Sequence, residues 1–352
     1  RLKIVDAAAI ASATESALPT AISHRSAMLG FARVAARDLN ARLFRERSTA
    51  QADREIAGAE LERDLVDRIS VYAAGDYSTS DTEPAGLGLG FDAETWSASG
   101  GAELPLDARV RIGLAATVFR GEGDLDRDIA SIETTGVLLS PYVVLFEQAG
   151  YLDVLYSIGT FTSDLDRPTG KTIANGETDS LLHAIEINAG WNFEANGFVF
   201  GPIAGIDYRH LSIDGYRESA VWGAVAYEDQ TIESAISRLG GQISWAVKLG
   251  AVRVVPQVRA AWEHEYLDDV KDVTVGLLRS PVTIVEGGAV RSGDPFSATL
   301  RSATLEEDYL SAGAGVRLEI GRGVSILIDY EGHFFRGDST VHMAAAKLLV
   351  DL

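Results

Sequence analysis

Three aspartates in one short segment, Asp124, Asp126 and Asp128, have the spacing with which a calcium-binding EF-hand loop begins. Such a loop also needs glycine at its sixth position and a bidentate glutamate at its twelfth. Ile129 and Thr135 occupy those two places. The segment is therefore predicted to be an acidic, solvated loop and not a calcium site.

A possible nucleophile lies near the end of the chain, where segment 337–340 reads Gly-Asp-Ser-Thr. It is similar to the start of the nucleophile block of GDS-type esterases. In those enzymes the block follows a parallel strand near the start of the catalytic domain, whereas here it falls at a predicted turn by the end of the chain. A Gly-Asp turn explains the segment better than a catalytic serine does.

The remaining candidates for chemistry are equally incomplete. Gly86, Gly88 and Gly90 are not followed by a predicted helix, so they do not form a dinucleotide-binding turn. His264, between Glu263 and Glu265, is interpreted as part of a polar rim or wall and not as a general base. The histidines are scattered without the spacing of zinc ligands: His24, His183, His210, His264, His333 and His342. The sequence therefore predicts no active site, metal or cofactor in this chain.

Composition excludes further classes of function. The chain has 352 residues, 51 Asp and Glu against 31 Lys and Arg, and a net charge of -20. A nucleic-acid partner is not expected, because neutralising phosphates requires a basic surface. The absence of cysteine removes disulfides and thiolate metal sites. The sequence contains no run of eighteen or more apolar residues, so no transmembrane helix is predicted.

The clearest structural pattern is the alternation in residues 234–265. A period of two predicts β-strands, because successive side chains point to opposite faces of a sheet. Each strand is about ten residues long, which is the length that a tilted strand needs to cross a bilayer. The apolar face contains Leu239, Ile243, Trp245, Val247, Val252, Val254, Val258 and Trp262, and the polar face contains Arg238, Gln242, Gln257, Arg259, Glu263 and Glu265.

The same alternation extends over residues 67–352 and predicts about twelve strands, an even number as in single-chain outer-membrane barrels. Short connections are predicted near residues 105, 148, 194, 248 and 321, and long ones near 80–91, 121–130, 164–177, 212–229 and 267–307. Short and long connections alternate along the chain, so the short ones lie on one side of the barrel and the long ones on the other, as is typical of outer-membrane barrels. Bulges or register adjustments are expected at Pro202 and Pro256, because proline cannot donate to the ladder. The predicted fold is an all-β membrane protein with a twelve-stranded antiparallel transmembrane β-barrel.

Residues 21–66 are instead predicted to be helical, because the segment holds many good helix formers and no proline. Its first half is basic, with several arginines between Arg25 and Arg47. Taken alone, this segment could be a solvated surface helix or a linker.

The order of a helix, about twelve strands and a final strand at the C-terminus resembles the translocator domain of classical (type Va) autotransporters. The stretches that carry the resemblance are 39–43 (Leu-Asn-Ala-Arg-Leu), 205–208 (Gly-Ile-Asp-Tyr), 213–216 (Ile-Asp-Gly-Tyr) and 262–269 (Trp-Glu-His-Glu-Tyr-Leu-Asp-Asp). The last is especially similar to esterase-type autotransporters. The resemblance covers roughly residues 25–352.

The resemblance implies that an upstream passenger has crossed the outer membrane and that the helix stays threaded through the barrel lumen. Residues 1–20 would then be the end of the passenger or a linker, 21–66 the linker helix that plugs the pore, and 67–352 the barrel. Charged residues in a narrow lumen need partners. On the helix the predicted lumen residues are Arg33, Arg37, Asn40 and Arg42. On the wall they are Glu186, Asp207, Arg238, Arg259, Glu263, Glu265, Asp329 and Glu331. Pairing is expected between the wall carboxylates and Arg33, Arg37 and Arg42.

Two departures from the family affect its expected properties. Relatives that cut their linker inside the barrel have an Asn-Asn pair where this chain has Arg37 and Asp38, so no self-cleavage is expected there. Leu352 occupies the place of the usual terminal phenylalanine. The predicted signal for the barrel insertion machinery is formed by Ala346, Leu348, Val350 and Leu352.

The predicted function is an outer-membrane translocator that helps to secrete its own passenger and then anchors it, with long loops at the cell surface. Its expected partners are outer-membrane lipid, the passenger, the barrel insertion machinery and periplasmic chaperones, and the chain is expected to be a monomer. Any catalytic activity would lie in the passenger. The alternative is a porin or adhesion-type barrel with a periplasmic helix. A barrel enzyme is a third possibility.

Overall fold

Twelve long strands close into one antiparallel barrel within the part of the chain that the computed structural model describes. Each strand pairs with the next, and β1 pairs with both β2 and β12, which closes the sheet. The strands are β1 Ser70–Thr82, β2 Phe91–Pro105, β3 Val110–Leu125, β4 Ser131–Glu147, β5 Gly150–Thr169, β6 Thr172–Trp191, β7 Phe198–Ile213, β8 Gln230–Trp245, β9 Val252–Glu265, β10 Asp308–Ile320, β11 Val324–Arg336 and β12 Ser339–Asp351. The described residues are 17, 20, 23, 24, 26–34, 69–84, 89–107, 109–147, 149–169, 172–220, 224–250, 252–267, 272–277, 283–286, 289–292, 297–301, 307–320, 323–337 and 339–351.

The barrel is apolar outside and largely polar inside. On β3, for example, the outward side chains Leu114 and Val118 are 50% and 54% exposed. In contrast, Glu186 and Asp207 are only 1% and 2% exposed because they point into the lumen. This is the arrangement of a barrel in lipid, where closure leaves no unpaired edge. No helix in the described part is both long and apolar enough to cross a membrane, a finding that does not bear on strands. The prediction of a twelve-stranded transmembrane barrel is confirmed.

The barrel has two different ends. The connections from β2 to β3, β4 to β5, β6 to β7, β8 to β9 and β10 to β11 lie at one end, called here the turn end, together with the first residue of β1 and the last of β12. The other connections lie at the loop end. Short strands lie at the turn end at Phe193–Ala195 and Val247–Leu249. At the loop end they form a four-stranded sheet of Tyr216–Arg217, Val225–Tyr227, Asp272–Leu277 and Ser297–Arg301, and a hairpin of Thr283–Glu286 and Ala289–Ser292.

Two segments that were expected to be loops are strands. The prediction of long loops near 121–130 and 164–177 is wrong, because β3 continues to Leu125, and β5 and β6 leave only residues 170–171 between them. Their acidic and glycine-rich composition is typical of loops. However, β3 pairs with β4 as far as Asp124, and β5 pairs with β6 as far as Thr169. The continuous ladders satisfy the backbone groups, so the strands project beyond the apolar band. Asp126–Asp128, from the aspartate triplet, forms a single 3-10 turn between β3 and β4.

The two strand prolines interrupt the ladder without shifting it, so the expected bulge or register change at Pro202 and Pro256 is wrong. Proline removes only its own ladder hydrogen bond, and the paired residues on both sides keep the register. The flanking pairs are Gly190 with Ile203 and Phe193 with Phe200 around Pro202, and Ser244 with Gln257 and Val247 with Val254 around Pro256. A register shift does occur between His333 and Arg336.

One helix, α1 (residues 26–34), lies inside the barrel near the loop end. Its Phe31 packs directly on the backbone of Gly121 in β3, where an added Cβ would be 2.6 Å from the ring. Met28 accepts hydrogen bonds at its sulfur from Ser163 at 3.1 Å and Thr134 at 3.4 Å. These contacts confirm a helix threaded through the lumen.

Candidate functional site

The lumen around the helix is hydrophobic, which the sequence analysis did not foresee. Phe31 and Met28 of the helix belong to one buried cluster with wall residues such as Phe161, Leu182 and Leu211, all at most 1% exposed. Charged side chains line the lumen wall elsewhere, for example at Asp207, Arg238 and Arg259. The sequence signal that was missed is an apolar residue at both an outward and an inward position of the same strand. An example is β6, where the outward Leu181 and the neighbouring inward Leu182 are both leucine.

The helix is also fixed by a charge. Arg33 Nη2 donates to Glu265 Oε2 at 2.5 Å and to Ser234 Oγ at 3.2 Å. Glu265 is 1% exposed at its side chain, and it further accepts from Ser234 Oγ at 2.7 Å and from the Ala235 amide at 2.8 Å. A buried carboxylate with this many donors is well satisfied, so the ion pair can hold the helix against β8 and β9.

The middle of the wall contains a network of arginines and carboxylates. Arg238 donates to Asp207 Oδ2 at 2.9 Å and to Glu263 Oε1 at 3.2 Å, and Arg238 and Glu263 lie directly opposite one another on β8 and β9. Arg209 donates to Glu186 Oε1 at 3.0 Å. Tyr309 donates to the second oxygen of Glu263 at 2.8 Å. These side chains tie β6, β7, β8, β9 and β10 together across the inner face.

A third arginine of the wall reaches across a whole strand. Arg259 on β9 donates to both oxygens of Asp329 at 2.9 and 2.8 Å and to Glu331 Oε2 at 2.8 Å, although both carboxylates belong to β11. The intervening β10 has Gly313 at this point, where an added Cβ would be 2.7 Å from Arg259 Cζ. A strand glycine therefore makes room for the bidentate pair.

The predicted wall residues thus lie together in the lumen, but most of their partners are other wall residues. Among the predicted helix residues, Arg33 contacts Glu265. Arg37, Asn40 and Arg42 lie outside the described residues. Sequence reasoning missed Arg209, Tyr309 and Gly313. Arg209 could have been found, because it is two residues from Asp207 and so lies on the same face.

The candidates for other chemistry are dispersed. The described residues include no group of three or more His, Asp or Glu side chains that could hold a metal ion. His264 lies on the outer face with Nδ1 2.9 Å from Asp308 Oδ1. Ser339 is the first residue of β12, with its Oγ 3.3 Å from Thr82 Oγ. Gly337 before it has φ +52°, a turn conformation that glycine adopts without strain.

The last strand provides the outward apolar row that was predicted as an insertion signal. Ala346 and Leu348 are outward and exposed on β12, and Val350 is half-buried beside them. Val350 pairs with Val71 in the ladder that joins the first and last strands. Leu352 lies outside the described residues.

This geometry matches known proteins. The family model of the autotransporter beta-domain matches residues 71–331. The structure is similar to the translocator domain of the autotransporter NalP from Neisseria meningitidis, with 17% identity and a TM-score of 0.61 over 86% of this chain and 97% of that chain. It is also similar to the beta domain of the Bordetella autotransporter BrkA, with 15% identity and a TM-score of 0.57 over 81% and 99% of the two chains.

The transport unit of the autotransporter AIDA-I from Escherichia coli is similar too, with 10% identity and a TM-score of 0.51 over 80% of this chain and 90% of that one. No curated protein sequence matches. At these identities the solved structures establish the fold, and the family match extends over most of the barrel. The chain therefore belongs to the autotransporter beta-domain family and is a translocator domain of the bacterial outer membrane.

Proposed function

We propose that the barrel anchors its own N-terminal passenger at the cell surface and that the helix then closes the pore. In this proposal residues 1–20 are the end of the passenger or a linker, 21–66 are the linker that contains α1, and 67–352 are the translocator barrel. The loop end faces the cell exterior, because short turns are periplasmic in outer-membrane barrels.

The burial of α1 in the lumen carries this proposal. The helix is surrounded by the hydrophobic cluster on one level and is paired through Arg33 with Glu265 on another. A helix that was merely periplasmic would have no reason to place Met28 and Phe31 at 0% and 1% exposure inside the barrel.

The proposed partners follow from the same arrangement. The outward apolar bands contact outer-membrane lipid, and the row of Ala346, Leu348 and Val350 on β12 is offered to the barrel insertion machinery after delivery by periplasmic chaperones. The proposed state is a monomer: β1 and β12 pair with one another, so the barrel offers no open sheet edge to a second copy. Catalytic activity, where the protein has one, belongs to the passenger.

Deleting residues 1–66 is expected to convert a nearly closed pore into an open one. The measurement is single-channel conductance in planar bilayers, where the shortened barrel should conduct strongly and steadily while the whole chain opens rarely. The matched control lacks only residues 1–16 and keeps α1, so it should behave like the whole chain. Equal conductance in all three proteins would instead favour a porin-like barrel with a periplasmic helix.

Acid is expected to loosen the helix through His24. This residue precedes α1, lies outside the strands and is fully buried, and burial lowers its pKa from 6.5 to about 4. When the helix is released, the His24 imidazole is no longer buried and binds a proton more readily than in the closed pore. The closed state therefore loses stability as the pH falls from 6.5 to 4. This lowering of the His24 pKa corresponds to roughly 3 kcal/mol of stability of the closed state.

The readout is the frequency of openings in planar bilayers, which should rise as the pH is lowered from 7 to 4.5. The variant His24→Phe keeps an aromatic ring without a titrating group and should show a much flatter pH dependence. An unchanged pH profile in this variant would mean that other groups control acid opening.

A further inference from the structure

The connection from β7 to β8 folds inward over the loop end of the barrel. Its two short strands, Tyr216–Arg217 and Val225–Tyr227, pair with each other. Ser219, between them, forms an isolated bridge with Asn175 of β6, with both backbone hydrogen bonds made. The connection is thus attached to the projecting part of the β5–β6 hairpin and does not extend freely into solvent.

A buried ion pair fastens this connection. Arg167 on β5 and Glu218 on the connection have side chains that are only 1% and 2% exposed. Arg167 Nε donates to Glu218 Oε1 at 2.9 Å, and a second hydrogen bond runs from Arg167 Nη2 to Glu218 Oε2. Glu218 also accepts from the Val225 amide at 3.0 Å and from the Tyr227 hydroxyl at 3.3 Å. The bidentate geometry and the extra donors satisfy a pair that would be costly if it were incomplete.

The connection from β7 to β8 places two stacked tyrosines beside the chain that precedes α1. Tyr216 and Tyr227 stack with ring centroids 4.5 Å apart. The edge-on contact of Tyr216 with His24 has a centroid distance of 6.2 Å and an interplanar angle of 85°. Gly176 on β6 makes room for the Tyr216 ring, since an added Cβ would be 2.5 Å from Cε2. The ring is therefore held between β6 and the chain just before α1.

A second connection holds the neighbouring residue. Ser23 Oγ donates to the Leu89 carbonyl at 3.0 Å, and the Leu89 amide donates back to Ser23 Oγ at 3.1 Å. Leu89 belongs to the connection between β1 and β2, on the other side of the lumen from β6 and β7 in strand order. Ser23 and His24 are thus gripped from two sides at the outer mouth of the pore.

We propose that Arg167, Glu218 and Tyr216 are positioning residues of an outer clamp that keeps the helix in the pore, an inference that rests on the proposed function. Force from an anchored passenger would pull the helix towards the exterior, and the clamp lies on that side of α1. Arg33 and Glu265 fix the opposite end of the helix. The aromatic stack resists withdrawal, and the buried ion pair keeps the stack in place.

The test uses the absence of cysteine in the chain. Ala27→Cys places one thiol on the helix beside a cavity of about 60 Å³, and its reaction with a membrane-impermeant maleimide is timed in lipid vesicles. Adding Tyr216→Ala or Glu218→Gln is expected to speed labelling about tenfold or more, because each change removes a buried contact of the clamp. Tyr216→Phe keeps the stacked ring and should label as slowly as Ala27→Cys alone.

Two controls separate the clamp from general damage. Glu133→Gln breaks an outer ion pair with Arg120 that is remote from the helix, so it should leave labelling unchanged. Heat-modifiable migration in gels checks that every barrel is folded. Parent-like labelling in both folded clamp variants would overturn the clamp.

The proposed plug itself can fail separately. If Ala27→Cys labels as fast in the otherwise unaltered chain as the exposed reference Glu122→Cys, the helix is not buried, and the proposed closure fails before the clamp is considered. If the deletion of residues 1–66 opens the pore while both clamp variants stay slow, only the clamp is wrong.

Discussion

Replacing Arg259 with methionine is expected to lower the free energy of unfolding of the barrel by about 3–5 kcal/mol, because one buried partner is removed and its carboxylates remain. Arg259 is 11% exposed at its side chain and is the arginine that bridges Asp329 and Glu331 from two strands away. Without it, Asp329 and Glu331 lose the guanidinium that they share, and their negative charges lie side by side on the inner face of β11. The measurement is denaturant unfolding in lipid vesicles, followed by tryptophan fluorescence.

The contribution of the Asp329 and Glu331 carboxylates to this loss is tested by neutralising them. The triple variant Arg259→Met, Asp329→Asn, Glu331→Gln should recover much of the loss, since neutral side chains are cheaper to leave without a cation. Arg120→Met provides the matched control, because Arg120 pairs with Glu122 and Glu133 on the exposed face and such pairs contribute about 0–1 kcal/mol. A loss of only about 0–1 kcal/mol for Arg259→Met, as for Arg120→Met, would show that water reaches the network freely.

Gly113→Ala is expected to destabilise the barrel by roughly 1–3 kcal/mol through overpacking. An added Cβ at Gly113 on β3 would lie 2.0 Å from Cζ of Tyr142, whose ring covers this glycine from the adjacent β4. Tyr142 is 5% exposed and packs in a lumen cluster with Tyr72 and Leu155, so it has little space in which to move. The same unfolding measurement applies.

A double variant identifies the cause. In the background Tyr142→Ala the ring is gone, so Gly113→Ala should add almost no further loss, and the difference between the two backgrounds is the coupling energy. Gly75→Ala is the matched control, because an added Cβ there would be no closer than 3.9 Å to its nearest neighbour, the Ser97 carbonyl oxygen. A similar loss from Gly113→Ala in both backgrounds would point to backbone strain instead of the ring.

Much of the fold could be predicted because its physical cause is local. The side-chain period of two separates the lipid face from the lumen face without knowledge of pairing, so Leu239 and Trp262 could be placed outside, and Arg238 and Glu263 inside. The number of strands and the short turns follow from the same pattern. The order of helix and barrel then suggested the family that the match over residues 71–331 establishes.

The wrong predictions came from reading composition as structure. The acidic, glycine-containing segments near 121–130 and 164–177 were interpreted as loops, although 121–124 pairs with β4 as a strand and the two halves of 164–177 pair with each other. Likewise Pro202 and Pro256 were expected to shift the register. In both cases the backbone hydrogen bonds of neighbouring residues decide the outcome, and composition does not report them.

The outer and inner faces of the strands could be read from the chain alone, because alternation and helix propensity depend only on residues close together in the chain. The contacts between residues inside the barrel could not be read in this way. Arg259 finds Asp329 and Glu331 across Gly313, and Tyr216 reaches His24 because a buried pair between Arg167 and Glu218 folds a connection inward. These contacts depend on strand register, closure and the position of the helix, all of which are set by residues far apart in the chain.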